Sequence, residues 1–185
     1  MPDDRTRGCL GFLSIVEHEV HGLFGGYLLL NAVGQPLEFH CTAPVKPNRA
    51  QQILYGPTLE PYLYGEQIGA TLLNATQRRP SVLFVEQVAA LAVRQHIDVP
   101  TALVCATISL ANSAAAGEAP IEVPGETPEF VIRQNHLRVA ARFAADQALI
   151  VQRLTTLADL FDLCEPFERI RAAIDEAQRA SAKAA

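Results

Sequence analysis

Two short polar groups interrupt the apolar first quarter of the chain, and they hold its densest collection of groups able to do chemistry. Glu17-His18-Glu19-Val20-His21 stands at the end of one apolar run and His40-Cys41 at the end of another. Imidazole and carboxylate suit zinc and similar ions, so His18, His21 and His40, with Glu17 or Glu19, are the candidate metal ligands. Their spacing follows no established ligand pattern, and on a strand His18 and His21 face opposite ways, which favours solvated turn residues. Gly22, Gly25 and Gly26 fall between predicted strands, not between a strand and a helix, so they form no phosphate cradle and read as a turn or bulge. Ser14 and Ser81 lack a GxSxG context, and Cys41 gains no activated partner from its neighbour His40. Nucleophilic catalysis has no support in the sequence.

The elements that must position these groups follow from hydrophobic periodicity. Cys9 to Val20, Tyr27 to Asn31 and Leu37 to Thr42 read as an antiparallel meander, with Asn31 and Gly34 supplying a hairpin turn. Pro44 and Pro47 end it. Asn48 caps a short helix from Arg49 to Tyr55, and Leu59, Tyr62, Leu63, Glu66, Ala70 and Leu73 place a largely apolar stripe on a second helix reaching about Gln77. Val82 to Val85, Val88 to Gln95 and Thr101 to Ile108 read as strand, helix and strand with parallel pairing. Ser109 to Pro128 reads as an exposed, mobile loop, and Glu129 to Phe143 as a hairpin around Gln134-Asn135-His136. Asp146 is the expected N-cap of a C-terminal helical segment broken at Glu165-Pro166. The expected fold is therefore α/β or α+β: an N-terminal meander continued by a β-α-β unit into one mixed sheet, with helices packed on it. Residues 1–145 form its mixed core, and 146–185 a helical segment on the same domain.

Composition narrows the partners. The formal net charge of −5 disfavours a phosphate backbone, and the absence of tryptophan removes the best stacking residue for single strands. No apolar run approaches the length needed to cross a bilayer, and the polar N-terminus lacks the form of a secretory signal, so a cytoplasmic location is expected. Cys9, Cys41, Cys105 and Cys164 lie far apart in apolar stretches, which suits reduced thiols.

Glu17, Glu66 and Glu86 form a second constellation, each on a separate predicted element. Through Ile108 the element order is three strands, helix, strand, helix, strand. It resembles the ribonuclease H-like core that also underlies endonuclease V. The resemblance implies acidic residues from several elements converging on two metal ions that activate water and the leaving oxygen. The first strand, however, has no aspartate at its centre. Tyr55, Tyr62 and Tyr64 beside glycine and proline breaks suggest instead a partner surface, with Tyr62, Phe167 and Ile174 as its expected contacts. The leading expectation is a non-catalytic intracellular accessory or scaffold subunit, self-associating or bound to another protein, without a cofactor. Its alternative is a ribonuclease H-like, metal-dependent nuclease or a degenerate relative of one, with Glu17, Glu66 and Glu86 as the catalytic set.

Overall fold

The computed structural model describes residues 8–105, 129–157 and 161–184. Its framework is a seven-stranded mixed sheet in the order β3-β2-β1-β4-β5-β7-β6, formed by β1 (Leu10–His18), β2 (Gly22–Leu30), β3 (Pro36–Cys41), β4 (Val82–Val85), β5 (Thr101–Cys105), β6 (Phe130–Ile132) and β7 (Asn135–Arg138). β1 to β3 are antiparallel neighbours, whereas β4 runs parallel to β1 and β5 parallel to β4. The mixed α/β architecture expected from the sequence is the one observed.

Local chemistry accounts for several boundaries. Asn31 Oδ1 accepts hydrogen bonds from the Val33 and Gln35 amides, and Gly34 supplies the positive φ of the β2–β3 turn. α1 (Arg49–Tyr55) starts with a complete capping box, Asn48 accepting from the Gln51 amide while Gln51 accepts from that of Asn48. β4 is an uninterrupted apolar run because both of its faces are covered, and every residue of it is buried. The helical stretch after Thr58 runs from α2 (Leu59–Pro61) through a π-helical segment, Tyr62–Ala70, into α3 (Thr71–Ala75). Val88–Gln95 is 3-10 rather than α-helical.

Two apolar layers hold the sheet. On one face, Phe12, Leu30, Phe84 and Leu137 pack against Ile150 and Leu154 of α4 (Asp146–Thr155) and against Phe167, Ile170 and Ile174 of α5 (Glu165–Ala184). On the other, Leu13, Ile15, Leu83 and Val85 meet Leu63, Ile68 and Leu72 of the helical stretch and Ala90 and Val93 of the 3-10 segment. The glycine pair expected in a turn lies inside β2 instead. Successive strand residues face opposite layers, and a Cβ on Gly25 would lie 2.1 Å from Ile68, one on Gly26 2.3 Å from Ile170. Each glycine lets one helical layer close onto the sheet.

Other expectations change at their contacts. Asp146 is the first residue of α4 and is buried, accepting from Arg94 Nε at 2.8 Å and from the Thr101 amide at 3.1 Å. A carboxylate tied to a neighbouring guanidinium leaves no free oxygen to cap its own helix. The second half of the predicted C-terminal hairpin turns into a 3-10 segment, Ala141–Phe143, after β7. The Ser109 to Pro128 loop lies outside the described residues. Phe167 and Ile174, expected at an interface, are each only 2% exposed and belong to the chain's own core. Pro166 starts α5 without turning its apolar stripe away from the sheet. Tyr62 is half-buried, stacked on Tyr55 at 4.1 Å.

Phe167→Ala therefore removes a ring packed edge-on to Phe12 at 5.6 Å, and is expected to cost about 3–5 kcal/mol of unfolding free energy. Urea denaturation measures it, and a loss below about 1 kcal/mol would contradict the core placement.

Candidate functional site

Ser14 is the one polar side chain in the run Cys9 to Val16, and it is fully buried at the middle of β1. The parallel register pairs Leu13 with Val85, so the residues that follow β4 emerge beside Ser14. Ser14 Oγ donates to Glu86 Oε1. The next residue, Gln87, reaches back onto β1: its Nε2 donates to the Ile15 carbonyl at 2.9 Å, and its Oε1 accepts from the Ile15 amide at 3.3 Å. A side-chain amide thus continues the β1–β4 ladder past the end of β4 and holds the Glu86 backbone in place.

The remaining Glu86 oxygen, Oε2, is met by Arg171 Nη1 of α5 at 2.5 Å. The Glu86 side chain is 21% exposed and that of Arg171 44%, so the pair is open to solvent at the carboxyl end of β4. The chain ends of parallel strands are where open α/β sheets place their ligands. The site offers one carboxylate whose charge is already matched, one buried hydroxyl and one half-exposed guanidinium. A guanidinium of that kind is suited to phosphate or carboxylate oxygens.

The other acidic candidates lie elsewhere. Glu17 follows Ser14 by three positions on the same strand, so it faces the opposite side of the sheet. Burial, then the charges of Glu60 and Glu17, push the Tyr64 phenol upward in pKa, which places Glu17 with the helical stretch on that second face. Glu66 is exposed on the π-helical segment. Glu17, Glu66 and Glu86 are therefore not brought together.

The histidines separate as well. His18 Nδ1 accepts from the Val20 and His21 amides at 3.2 and 3.3 Å, and its ring lies 4.7 Å from that of His21. This ring is a turn-building group. His18 pairs with Gly22, whereas His40 pairs with Tyr27, a separation along β2 of roughly 17 Å. Among the described residues no group of three or more His, Cys, Asp or Glu side chains could hold a metal ion. The residues present do not fit the two-ion site that the resemblance implies.

His40 belongs to a different network, its Nε2 lying 3.1 Å from Glu38 Oε2. The same oxygen accepts from Thr76 Oγ1 at 2.7 Å and from the Gln77 amide at 3.0 Å. Burial raises the Glu38 pKa, but the hydrogen bonds from Thr76, Gln77 and His40 outweigh it, so the net direction is downward.

The signals for the site residues that sequence reasoning missed were uneven. Ser14 was visible as a lone hydroxyl in an apolar strand. Gln87 and Arg171 left no local mark, because they act on residues far away in the chain.

No family model and no curated protein matches this chain. Among solved structures it is similar to human ENDOV at 13% identity, with a TM-score of 0.46 over 95% of this chain and 86% of that one. It is also similar to Ciona intestinalis endonuclease V in complex with a 23mer DNA containing an inosine, at 11% identity and a TM-score of 0.37 over 71% and 70% of the two chains. A Marinitoga piezophila Argonaute with guide RNA follows at 10% identity and 0.30, over 82% of this chain and 26% of that one. At these identities the likeness concerns the arrangement of elements alone. The expectations of a non-catalytic scaffold acting through protein contact, and of nucleic acid as a disfavoured partner, are nonetheless corrected, since these similar structures are endonucleases and a guide-RNA complex. A net charge of −5 sums the whole chain and does not give the local sign at one site, and beside Glu86 stands the guanidinium of Arg171.

The Glu38 network gives a pH dependence with a definite sign. A carboxylate whose folded pKa is depressed adds stability above its unfolded value, and that stability is lost as pH falls through the folded value. Urea midpoints of the native chain are expected to fall more steeply below about pH 4.3 than those of Glu38→Gln. Parallel curves would contradict the assignment.

Proposed function

We propose that this chain is a degenerate relative of the ribonuclease H-like, metal-dependent nucleases, one that holds a nucleic-acid strand at the Ser14–Glu86–Arg171 cluster without cutting it. The strand order supports this reading. β1 is flanked by antiparallel β2 and β3 on one side and by parallel β4 and β5 on the other, in the chain order on which the resemblance rested.

The observation that carries the proposal is the Glu86–Arg171 ion pair beside Ser14. Two-metal hydrolysis needs several carboxylates from different elements, with the ions supplying the compensating charge. Here the centre of β1 offers a hydroxyl, the end of β4 a single carboxylate, and α5 a guanidinium that supplies the positive charge itself. A divalent ion reaching Glu86 would have to displace Arg171, and among the described residues no group of three metal-binding side chains awaits it. The guanidinium keeps donors beyond those Glu86 accepts, and its exposure leaves them accessible to a phosphate oxygen.

The test is fluorescence anisotropy with single-stranded DNA and RNA oligonucleotides, combined with gel analysis of the same samples in magnesium or manganese. Binding is expected to weaken with salt, and Arg171→Ala to reduce the log–log salt slope by about one. Glu86→Gln removes the competing anion and is expected to tighten binding. No cleavage is expected with either metal. Metal-dependent cleavage abolished by Glu86→Gln would overturn the degenerate half of the reading, and absence of oligonucleotide binding the nucleic-acid half.

A further inference from the structure

A separate cavity of about 450 Å³ lies where the second half of α5 passes over the rim of β2 and the end of β3. Phe24, Pro44 and Ile174 give it apolar walls, His21, Cys41 and Thr42 also line it, and among the described residues no Asp, Glu, Lys or Arg side chain does. Its origin lies in the sequence. Gly26 lets α5 close tightly on β2 at Ile170 and Ile174, and beyond β3 the stretch Thr42-Ala43-Pro44 forms the facing wall before Val45 pairs again with Leu23 of β2.

Gln178 gives the cavity a polar address. It lines the space, and its Nε2 is buried without a hydrogen-bond partner. A buried donor left unsatisfied is destabilising, and an acceptor brought into the cavity relieves it. Volumes of this size with largely apolar walls and a few placed polar groups are the usual form of small-molecule sites; of those here Gln178 Nε2 is the buried donor without a partner, whereas Thr42 Oγ1 already accepts from the Gly25 amide.

We infer that this cavity binds an uncharged, largely apolar small molecule carrying one hydrogen-bond acceptor, with the acceptor seated on the Gln178 amide. The apolar walls disfavour strongly polar ligands, and among the described residues no Asp, Glu, Lys or Arg lines the cavity to serve a carboxylate or an ammonium group as counter-ion. The inference is independent of the nucleic-acid reading, because Arg171 and Glu86 do not line this space.

The experiment compares acetophenone with isopropylbenzene, a hydrocarbon of nearly the same shape that lacks the carbonyl acceptor. Both are titrated into the full chain labelled with nitrogen-15 and followed by proton–nitrogen NMR. Acetophenone is expected to give saturable shifts at the lining residues, including the Gln178 side-chain amide, and to bind about tenfold tighter than isopropylbenzene. In Gln178→Leu the two probes are expected to bind alike. Ala177→Phe, which fills the space from a neighbouring position on α5, is expected to abolish both sets of shifts while the spectrum stays dispersed. The inference is overturned if neither probe shifts the lining residues of the native chain, if the hydrocarbon binds as tightly as the ketone, or if the preference survives in Gln178→Leu.

Discussion

The packing of α5 across β1 and β2 is the constraint from which the functional geometry follows. Phe167, Ile170 and Ile174 form its buried stripe, and the missing side chain at Gly26 sets how closely that stripe approaches the sheet. Only with the helix at that height does Arg171, one position past Ile170, arrive at the end of β4 with its guanidinium level with Glu86. A larger residue at Gly26 would meet Ile170 and Ile174 at once, and the helix would have to move, taking Arg171 with it. Burial here fixes an electrostatic contact that no local sequence feature encodes.

The site has little charge to spare. Glu86 is bound through both oxygens, to a neutral hydroxyl that is fully buried and to a guanidinium that is half in water. Such a pair contributes little to stability, since solvent screens its exposed side. Its consequence is for ligands: a cation sees a neutralised carboxylate, and an anion sees a guanidinium with donors remaining. Gln87 keeps the arrangement rigid by bonding both the amide and the carbonyl of Ile15.

Much of the framework was legible because it is written in short-range signals. The Asn48 cap and the Arg49–Tyr55 helix, the apolar run of β4 and the Asn31–Gly34 turn each depend on neighbours within a few positions. What failed depended on distant partners. Asp146 looked like a cap until Arg94 claimed its carboxylate, and Gly25-Gly26 looked like a turn because the helices that press on them lie elsewhere in the chain. Phe167 and Ile174 were read as an interface since the direction taken by a helix after a proline is set by what it packs on. Of the acidic candidates only Glu86 stands beside Ser14 and Arg171, because strand alternation carries Glu17 to the far face. Arg171 stands 85 positions from the glutamate it neutralises.

An Arg171 guanidinium already paired with Glu86 should keep a divalent ion off that carboxylate. Isothermal titration of the native chain with manganese, repeated on Glu86→Gln, tests it most directly. The native chain is expected to bind no manganese at this carboxylate, so that the two titrations coincide. Saturable manganese binding by the native chain that disappears in Glu86→Gln would contradict it.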